Sequence, residues 1–366
     1  MRRVSMSENR AGSGCPFCGV RSDTLEALGE HVRSEHVVRL PNNPIVDVES
    51  ADDLGGNVNG PSIVGVPDWI EAPLGEYYLY FAHHSGEYIR LAYADQLDGS
   101  WEIHGPGTLR LEESRFDHHI ASPDVHVDHE SERMRMYYHG RYDYGSTHSM
   151  LVRNAGAILR RSAYVNARRT FDRLRGAGVD SGRWRPTVPS GVIQHTRVAV
   201  SPDGLDFSVD PGHCGMPYFR VFEHDGTRYA LSMPGVLYRS SGGFREFEPG
   251  PVLFPASMRH AAVQVVGDTL RVFYSRAGDR PERILLSQVA LRPDWNRWTA
   301  SDPVTVLEPE RTYEGGDRPL RPSSRGASRD RVRQVRDPAV FVEDGTTYLL
   351  YSVAGERGLA IAKIVE

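Results

Sequence analysis

Two aspartates stand beside prolines at the start of segments that alternate apolar and polar residues. Asp337 lies in RDPAVFVEDG (336–345), and Asp124 lies in ASPDVHVD (121–128). A carboxylate at such a place can cap a turn by binding nearby backbone amides, or it can act as a general acid or base. The sequence leaves both roles open for Asp337. It favours catalysis because other polar groups recur at corresponding points of the chain.

Polar side chains also mark the starts of further alternating segments and the ends of the segments that follow them. The starts carry Asn59, Asp124, Arg220, Arg259 with His260, and Asp337. The following segments end with His83 and His84, His139 with Arg141, Arg276, and Ser352. Asp124 and Asp337 are predicted to occupy equivalent places and to face each other. Glu282, in a turn after Arg276, is expected to reach back over the same groups.

This crowd of ionisable groups suits acid and base chemistry. Carboxylates close to guanidinium groups acquire separated pKa values, as acid and base roles require. His83, His84 or His260 could instead provide the acid, since imidazole titrates near neutral pH.

The alternating segments belong to a unit that recurs five times over residues 58–366. Each copy has a first strand, a turn containing Asp or Gly, a second strand rich in Tyr, and a third strand ending near Trp or Phe. Units too short to fold alone must bury their apolar faces against one another. The pattern predicts an all-β fold, a five-bladed β-propeller, with a β-sandwich or a solenoid as the alternative. In a propeller, the starts of the innermost strands converge on one mouth.

The second unit is interrupted by residues 143–190. AYVNARRTFDRLR within this stretch has a helical period and an excess of Arg. The stretch is therefore predicted to be an inserted helix or a lid on the surface rather than a blade strand.

Near the N-terminus, two cysteines and two histidines have the spacing C-x2-C-x12-H-x4-H: Cys15, Cys18, His31 and His36. A CxxC knuckle lets two thiolates converge on one ion, and SDTLEALGEHVRSEH reads as a helix, with an N-cap at Ser22 or Asp23, that turns both histidines to one side. Leu25 and Leu28 are expected in its small core. Over residues 13–38 the chain resembles two-Cys, two-His zinc fingers, which implies a structural zinc ion. Those fingers usually have an aromatic residue near the position of Ser22, and Phe17 or Leu25 is expected to fill that gap here.

The finger is not expected to read nucleic acid. Its helix carries several carboxylates against a single Arg33, and these would repel phosphate: Asp23, Glu26, Glu30 and Glu35. It is predicted to be a structural or protein-contact module, joined to the propeller by a polar linker at 39–57.

Over about 58–366 the chain resembles the five-bladed glycoside hydrolases of families 43, 117, 32 and 130. The resemblance rests on ASPDVHVD, RDPAVFVEDG, YADQLDGSW and YYLYFAHHS. It implies two or three carboxylates at innermost strands, for which Asp124, Asp337 and Glu282 are the candidates. The family-43 pattern would place a base Asp in the first blade, where this sequence has Asn59, and the third blade offers Arg220 rather than an acid.

The resemblance implies a glycoside hydrolase that cleaves an oligosaccharide without a cofactor for catalysis. Substrate binding is expected from eight residues: Asn59, His83, His84, His139, Arg220, Arg259, His260 and Arg276. The guanidinium groups, with Arg90, suggest anionic sugars such as uronates. The alternatives are a glycoside phosphorylase and a non-catalytic glycan-binding or scaffold propeller. A sialidase is a weaker rival, since only SPDGLDF resembles an Asp-box turn.

Composition excludes some partners. Lys+Arg is 43 against Asp+Glu 48, for a net charge of -5, so no positive field would recruit nucleic acid or an anionic membrane. No apolar run of about 18 residues and no apolar core of a secretory signal is visible, and the cysteine count is 3. A cytoplasmic location is therefore expected.

Overall fold

The computed structural model describes residues 13–84, 86–143 and 192–366. The chain starts with a small ββα unit followed by two short strands: β1 (Ser13–Gly14), β2 (Arg21–Ser22), α1 (Leu25–Glu35), β3 (Val37–Arg39) and β4 (Val46–Asp47). The predicted helix is present, but its N-cap is Thr24 rather than Ser22 or Asp23. The Thr24 Oγ1 accepts a hydrogen bond from the Ala27 N–H at 3.1 Å. Leu28 is buried as expected, whereas Leu25 is 37% exposed.

Five antiparallel sheets follow, which confirms the predicted five-bladed β-propeller. Blade one contains β5 (Asn59–Gly65), β6 (Tyr77–Ala82), β7 (Tyr88–Ala94) and β8 (Glu102–Arg110). Blade two contains β9 (Ile120–Asp128), β10 (Arg133–Asp143), β11 (Val192–Ser201) and β12 (Ser208–Val209). Blade three contains β13 (Arg220–His224), β14 (Thr227–Ser232), β15 (Val236–Gly242) and β16 (Glu246–Val252).

Blade four contains β17 (Met258–Val266), β18 (Thr269–Arg276), β19 (Ile284–Ala290) and β20 (Val304–Leu307), and blade five contains β21 (Arg336–Glu343), β22 (Thr346–Val353) and β23 (Gly358–Ile364). Short 3-10 turns lie at Asp52–Leu54, Trp295–Arg297 and Thr312–Glu314. None of the helices in the described part of the chain has the length and apolar character needed to cross a bilayer. The predicted insertion at 143–190 lies outside the described residues, except for Asp143 at the end of β10.

The segment predicted as a linker is part of the ring. β3 pairs antiparallel with β23, with Val37 opposite Ile364, and β4 pairs with the beginning of the same strand. Leu54 and its apolar neighbours in 40–54 pack into the core shared by blades one and five. The linker prediction was wrong because the last blade of a closed ring needs an outer strand, and the N-terminal chain supplies it.

The innermost strands share one irregularity. In blade one, Asn59 pairs with Ala82 and Ser62 with Tyr80, so three residues of the inner strand span two of its neighbour. The same bulge occurs in blades two, four and five. Blade three has the same spacing. The Met233 N–H donates to the Pro217 oxygen and Arg220 pairs with Leu231, so three residues of the inner strand again span two of its neighbour. This common bulge sets the positions that are equivalent around the ring.

Candidate functional site

The bulge places a residue with left-handed backbone at the same level in four blades. These residues are Gly60, Ser122, Tyr218 and Asp337, with φ of 61°, 51°, 58° and 50°. Non-glycine residues in this region cost free energy, of order 1–3 kcal/mol in strained cases, and they cluster at functional sites. Arg259 occupies the corresponding position in blade four. Asp337 therefore corresponds to Ser122, not to Asp124.

Side chains from all five blades meet at this end of the ring, which we call the mouth. The mouth comprises Asn59, His84, His119, His139, Tyr218, His260 and Asp337. The rings of His119 and His139 have centroids 6.0 Å apart. The Tyr218 ring lies 4.2 Å from that of His139 and 4.3 Å from that of His260. Of the groups named from the sequence, the mouth contains Asn59, His84, His139, His260 and Asp337, whereas His119 and Tyr218 were not predicted.

Asp337 is buried at the centre of this arrangement, with 1% of its surface exposed. Its Oδ2 accepts a hydrogen bond from the Ser352 Oγ at 3.0 Å, and its Oδ1 lies against Nδ1 of His260. The contact engages Nδ1 of His260, so Nε2 is the ring nitrogen that remains for a ligand. A carboxylate that holds one nitrogen of a histidine fixes the tautomer and the direction of the other nitrogen.

A second carboxylate and histidine form a similar pair on the other side of blade five. Glu356 is fully buried, and its Oε2 lies 2.8 Å from Nδ1 of His84. Burial raises the pKa of Glu356, but the hydrogen bond and charge of His84 and the charge of Arg336 outweigh it and bring the pKa to about 2. The His84 ring, 29% exposed, also contacts the Asn59 amide at 3.2 Å.

Glu356 was missed from the sequence. It lies in the hairpin between the second and third strands of blade five, just as Glu282 lies in the equivalent hairpin of blade four. The Arg336 guanidinium bridges the two carboxylates, at 3.0 Å from Glu356 Oε1 and 3.1 Å from Glu282 Oε2. The equivalent position of Glu282 in the hairpin of blade four was the signal that could have identified Glu356.

Glu282 does not reach over the mouth as expected. It is fully buried, and it accepts hydrogen bonds from the Ser275 Oγ at 2.7 Å and the Arg259 guanidinium at 3.1 Å. With Arg336 on its other side, this carboxylate neutralises two buried cations. A buried carboxylate with this set of partners is held in place by charge and cannot swing toward a ligand without leaving them uncompensated.

The predicted equivalence of Asp124 and Asp337 was wrong. Pro123 and Pro338 occupy the same register position, but Asp124 follows its proline whereas Asp337 precedes its own. Asp124 is instead equivalent to Ser62 in blade one. The Ser62 Oγ accepts a hydrogen bond from the Val125 N–H of blade two at 2.9 Å, and the Asp124 Oδ2 accepts one from the Val221 N–H of blade three at 2.9 Å. Both side chains join their blade to the next.

The carboxylate of Asp124 has two side-chain partners, His126 and Arg220. Burial raises its pKa, but His126, with Nε2 at 2.8 Å, and Arg220 outweigh burial, so the pKa is lowered. Arg220 itself donates to the Pro123 oxygen at 2.6 Å and to the Ala261 oxygen of blade four at 2.8 Å. These residues therefore connect blades two, three and four.

The other arginines predicted to bind substrate are also occupied by the protein. Arg259 donates to Glu282 and to the oxygens of Ser324 and Gly326, and Arg276 donates to Asp279. Arg90 donates to the backbone oxygens of Asp53 and Leu54. Arg141 differs. It is exposed, it has no ion-pair partner among the described residues, and its charge helps to lower the pKa of His119 and His139.

Three buried or half-buried histidines of blades one and two, His83, His119 and His139, have a lowered pKa. Burial lowers the pKa of His83 and of His119 to about 4, with Arg90 and Arg141 contributing respectively. Burial also lowers the pKa of His139 well below its usual value. His139 is 1% exposed, and neither ring nitrogen has a hydrogen-bond partner among the described residues. The mouth therefore offers buried neutral imidazoles to a ligand.

A separate cluster at the N-terminus could hold a metal ion. The ligand atoms of Cys15, Cys18, His31 and His36 all lie within 4.8 Å of one another. Hydrogen bonding from the Val20 backbone and from His31 lowers the pKa of the Cys18 thiol to about 6, so a thiolate is available at neutral pH. The His36 Nε2 is buried without a hydrogen-bond partner, whereas Nδ1 lies 2.5 Å from the Val365 oxygen. An orphaned nitrogen directed by its partner nitrogen fits a metal ligand.

The chain has a relative among curated proteins. No model of a known protein family matches the sequence. The chain belongs to the same family as a protein of Acanthamoeba polyphaga mimivirus named "Uncharacterized protein R118", to which it is 31% identical over 365 residues, covering 90% of each chain.

Solved structures share the fold at low sequence identity. An alpha-L-arabinofuranosidase from Lactobacillus brevis superposes with a TM-score of 0.54 and 13% identity, covering 88% of this chain and 92% of that one. A GH43_1 enzyme from Xanthomonas citri superposes with a TM-score of 0.50 and 10% identity, covering 91% and 93%. These likenesses show that this chain shares its fold with the two enzymes.

Proposed function

We propose that the protein is a glycoside hydrolase whose active site is the mouth of the propeller. The observation that carries the proposal is the presence of two carboxylate–histidine pairs at the same mouth, Asp337 with His260 and Glu356 with His84. The likeness to solved glycosidases supports the choice of reaction through the fold they share.

Hydrolysis of a glycosidic bond needs a group that accepts a proton from water and a group that protonates the leaving oxygen. His260, held through Nδ1 by Asp337, can accept the water proton at Nε2 while the water oxygen attacks the anomeric carbon. His84, held through Nδ1 by Glu356, can donate its proton to the leaving oxygen as the carbon–oxygen bond breaks. The two steps balance, since one proton enters the site from water and one leaves with the alcohol.

The other predicted carboxylates then have supporting roles. Asp124 positions blade three against blade two, and Glu282 holds Arg259 and Arg336 behind the mouth. We assign neither of them a contact with substrate. Asn59, at the strand start where a base would be expected, binds His84 and so belongs to the acid side of the site.

The mouth favours a sugar with few charges. His83, His119 and His139 are neutral, and the buried guanidinium groups are engaged by protein oxygens. Neutral imidazoles and a half-buried Tyr218 can bind sugar hydroxyls and the apolar face of a sugar ring. The prediction of uronate substrates now depends on Arg141, the exposed cation of this region.

A substrate panel tests the proposal. Purified protein is incubated with neutral and uronate-bearing oligosaccharides, with and without inorganic phosphate, and release of reducing ends is measured. We expect release that does not depend on phosphate and that is lost in Asp337→Asn. Release that requires phosphate would indicate a phosphorylase. Binding of glycans without release, seen as a raised melting temperature, would indicate a binding module and contradict the hydrolase proposal.

We infer that the N-terminal cluster binds zinc. Two thiolates and two imidazoles are the donors that tetrahedral structural zinc sites use, and the spacing and helix suit such a site. A reducing compartment would keep both thiols free to bind, which fits the cytoplasmic location expected from the sequence.

A further inference from the structure

The finger does not stand apart from the propeller. The buried face of α1 lies on β20 of blade four, and a Cβ added to Gly29 would sit 3.3 Å from the Thr305 side chain. Leu28 and Val32 share one apolar core with residues of blades four and five, including Leu307 and Ile364. So close an approach of helix and strand buries the face of α1 that carries Leu28, Gly29 and Val32.

The CxxC knuckle is fixed to blade four. Arg271, in the second strand of that blade, donates a hydrogen bond to the Pro16 oxygen at 2.9 Å, and its guanidinium lies 5.0 Å from the centre of the Phe17 ring. The same guanidinium pairs with Glu366. The loop that carries both cysteines therefore contacts the C-terminal end of the chain through one arginine.

The second histidine is fixed to blade five. Besides the contact between its Nδ1 and the Val365 oxygen, the His36 oxygen accepts a hydrogen bond from the Val365 N–H at 2.9 Å. His36 directly precedes β3, the strand that pairs with β23. A metal bound to His36 Nε2 would hold the imidazole, and with it the start of β3, in the position that the C-terminal strand requires.

From β3, contacts continue toward the mouth. Arg39 donates to the buried Glu314 at 2.7 Å, and the Tyr351 hydroxyl donates to the same carboxylate at 2.9 Å. Tyr351 precedes Ser352, which binds Asp337. The outer strand of blade five is thus joined by side chains to the strand that supports the mouth.

We propose that the metal ion of the finger is a clamp on ring closure. Blade five is built from opposite ends of the chain, so nothing covalent holds β3 and β4 on β23. Metal binding orders the knuckle, the helix and His36 as one unit, and this unit fastens the N-terminal strands to the C-terminal one. Loss of the metal is expected to release β3 and β4 and to loosen blade five, while blades two and three keep their packing.

Hydrogen exchange measured by mass spectrometry tests the clamp on the full chain. Zinc-loaded protein is compared with protein treated with a chelator and with Cys18→Ser, a variant at an exposed ligand whose loss removes no core packing. We expect exchange in residues 37–47 and 358–366 to become faster by about tenfold or more without metal. Peptides from blade two serve as the internal reference. Added zinc should restore protection to the chelated wild type and not to Cys18→Ser.

Three results would overturn the proposal. Faster exchange confined to residues 13–36 would mean that the finger melts without affecting ring closure. Equal loss of protection in all five blades would mean that the metal supports the whole fold rather than the closure. Failure of the wild type to retain zinc after purification in its presence would remove the clamp itself. None of these readouts depends on glycosidase activity.

Discussion

The carboxylate of Asp337 in blade five lies against the imidazole of His260 in blade four, directly across the boundary between the two blades. Asp337 adopts φ of 50° to do so, at a bulge that every blade shares. The conformation is held by Ser352 and by the packing of the neighbouring blades. A carboxylate held in this backbone conformation against a histidine supports the proposed catalytic role of Asp337 over turn capping.

The proposed role of His84 as proton donor predicts that turnover depends on the leaving group. For His84→Asn, we expect turnover of an oligosaccharide to fall by roughly 10²-fold or more, because the leaving alkoxide then departs without a proton. An aryl glycoside with an acidic phenol needs no such proton, so its cleavage should be nearly unchanged. His129→Asn, at an exposed turn of blade two, is the matched control. Equal losses on both substrates would argue against an acid role.

Asp124 is expected to matter for stability more than for chemistry. Asp124→Ala removes the acceptor for the Val221 N–H and leaves the buried Arg220 without its carboxylate. The free energy of unfolding should fall by about 2 kcal/mol or more, as when a partly buried charged hydrogen bond is broken. Urea denaturation measures this loss. Unchanged stability together with abolished turnover would instead support the catalytic role predicted from the sequence.

Arg336 should be among the most sensitive positions of the ring. Arg336→Met leaves Glu282 and Glu356 facing each other in the interior without their shared cation. Breaking a buried ion pair on one side typically costs about 3–5 kcal/mol. Arg331→Met, which removes an arginine from a more exposed pair with Asp317, provides the comparison. Similar losses for both variants, measured by denaturation, would show that the buried network contributes little.

The lowered pKa of Glu356 predicts how the stability of the protein changes with pH. Its pKa is about 2 in the folded protein, below the ordinary value of 4.5, so its contribution is present above about pH 4.5 and is lost as the pH falls toward 2. Unfolding measured from pH 6 to pH 3 should show this loss. Glu356→Gln should have a shallower pH dependence, whereas Glu87→Gln, at an exposed site, should match the wild type. Parallel curves for all three proteins would contradict the prediction.

The sequence was sufficient to predict the five repeats and the end of the strands at which the mouth lies. Period-two strands and Gly or Asp turns identify five units, and strand starts and ends point to His84, His260 and Asp337. The bulge could not be predicted, since one extra residue changes which side chain faces the axis and leaves the local pattern intact. For this reason RDP and SPD looked equivalent although their aspartates lie on opposite sides of matching prolines.

Long-range contacts account for the other differences. Glu356 follows a glycine turn with no motif of its own, and its partners His84 and Asn57 are about 270 to 300 residues away. β3 is three residues long, too short to identify as the outer strand of a blade that lies at the other end of the chain. Thr24 caps the helix in place of its neighbours through a single hydrogen bond.

The most direct test of the proposed active site compares Asp337→Asn with Asp344→Asn. Both replace an aspartate of blade five that has left-handed backbone, with φ of 50° and 48°, by a residue that tolerates this conformation, but Asp344 lies in an exposed turn. On a substrate that the wild type cleaves, we expect turnover to fall by roughly 10²- to 10⁴-fold in Asp337→Asn and to be unchanged in Asp344→Asn, with both proteins folded. Full turnover by a folded Asp337→Asn would contradict a mouth built around this carboxylate.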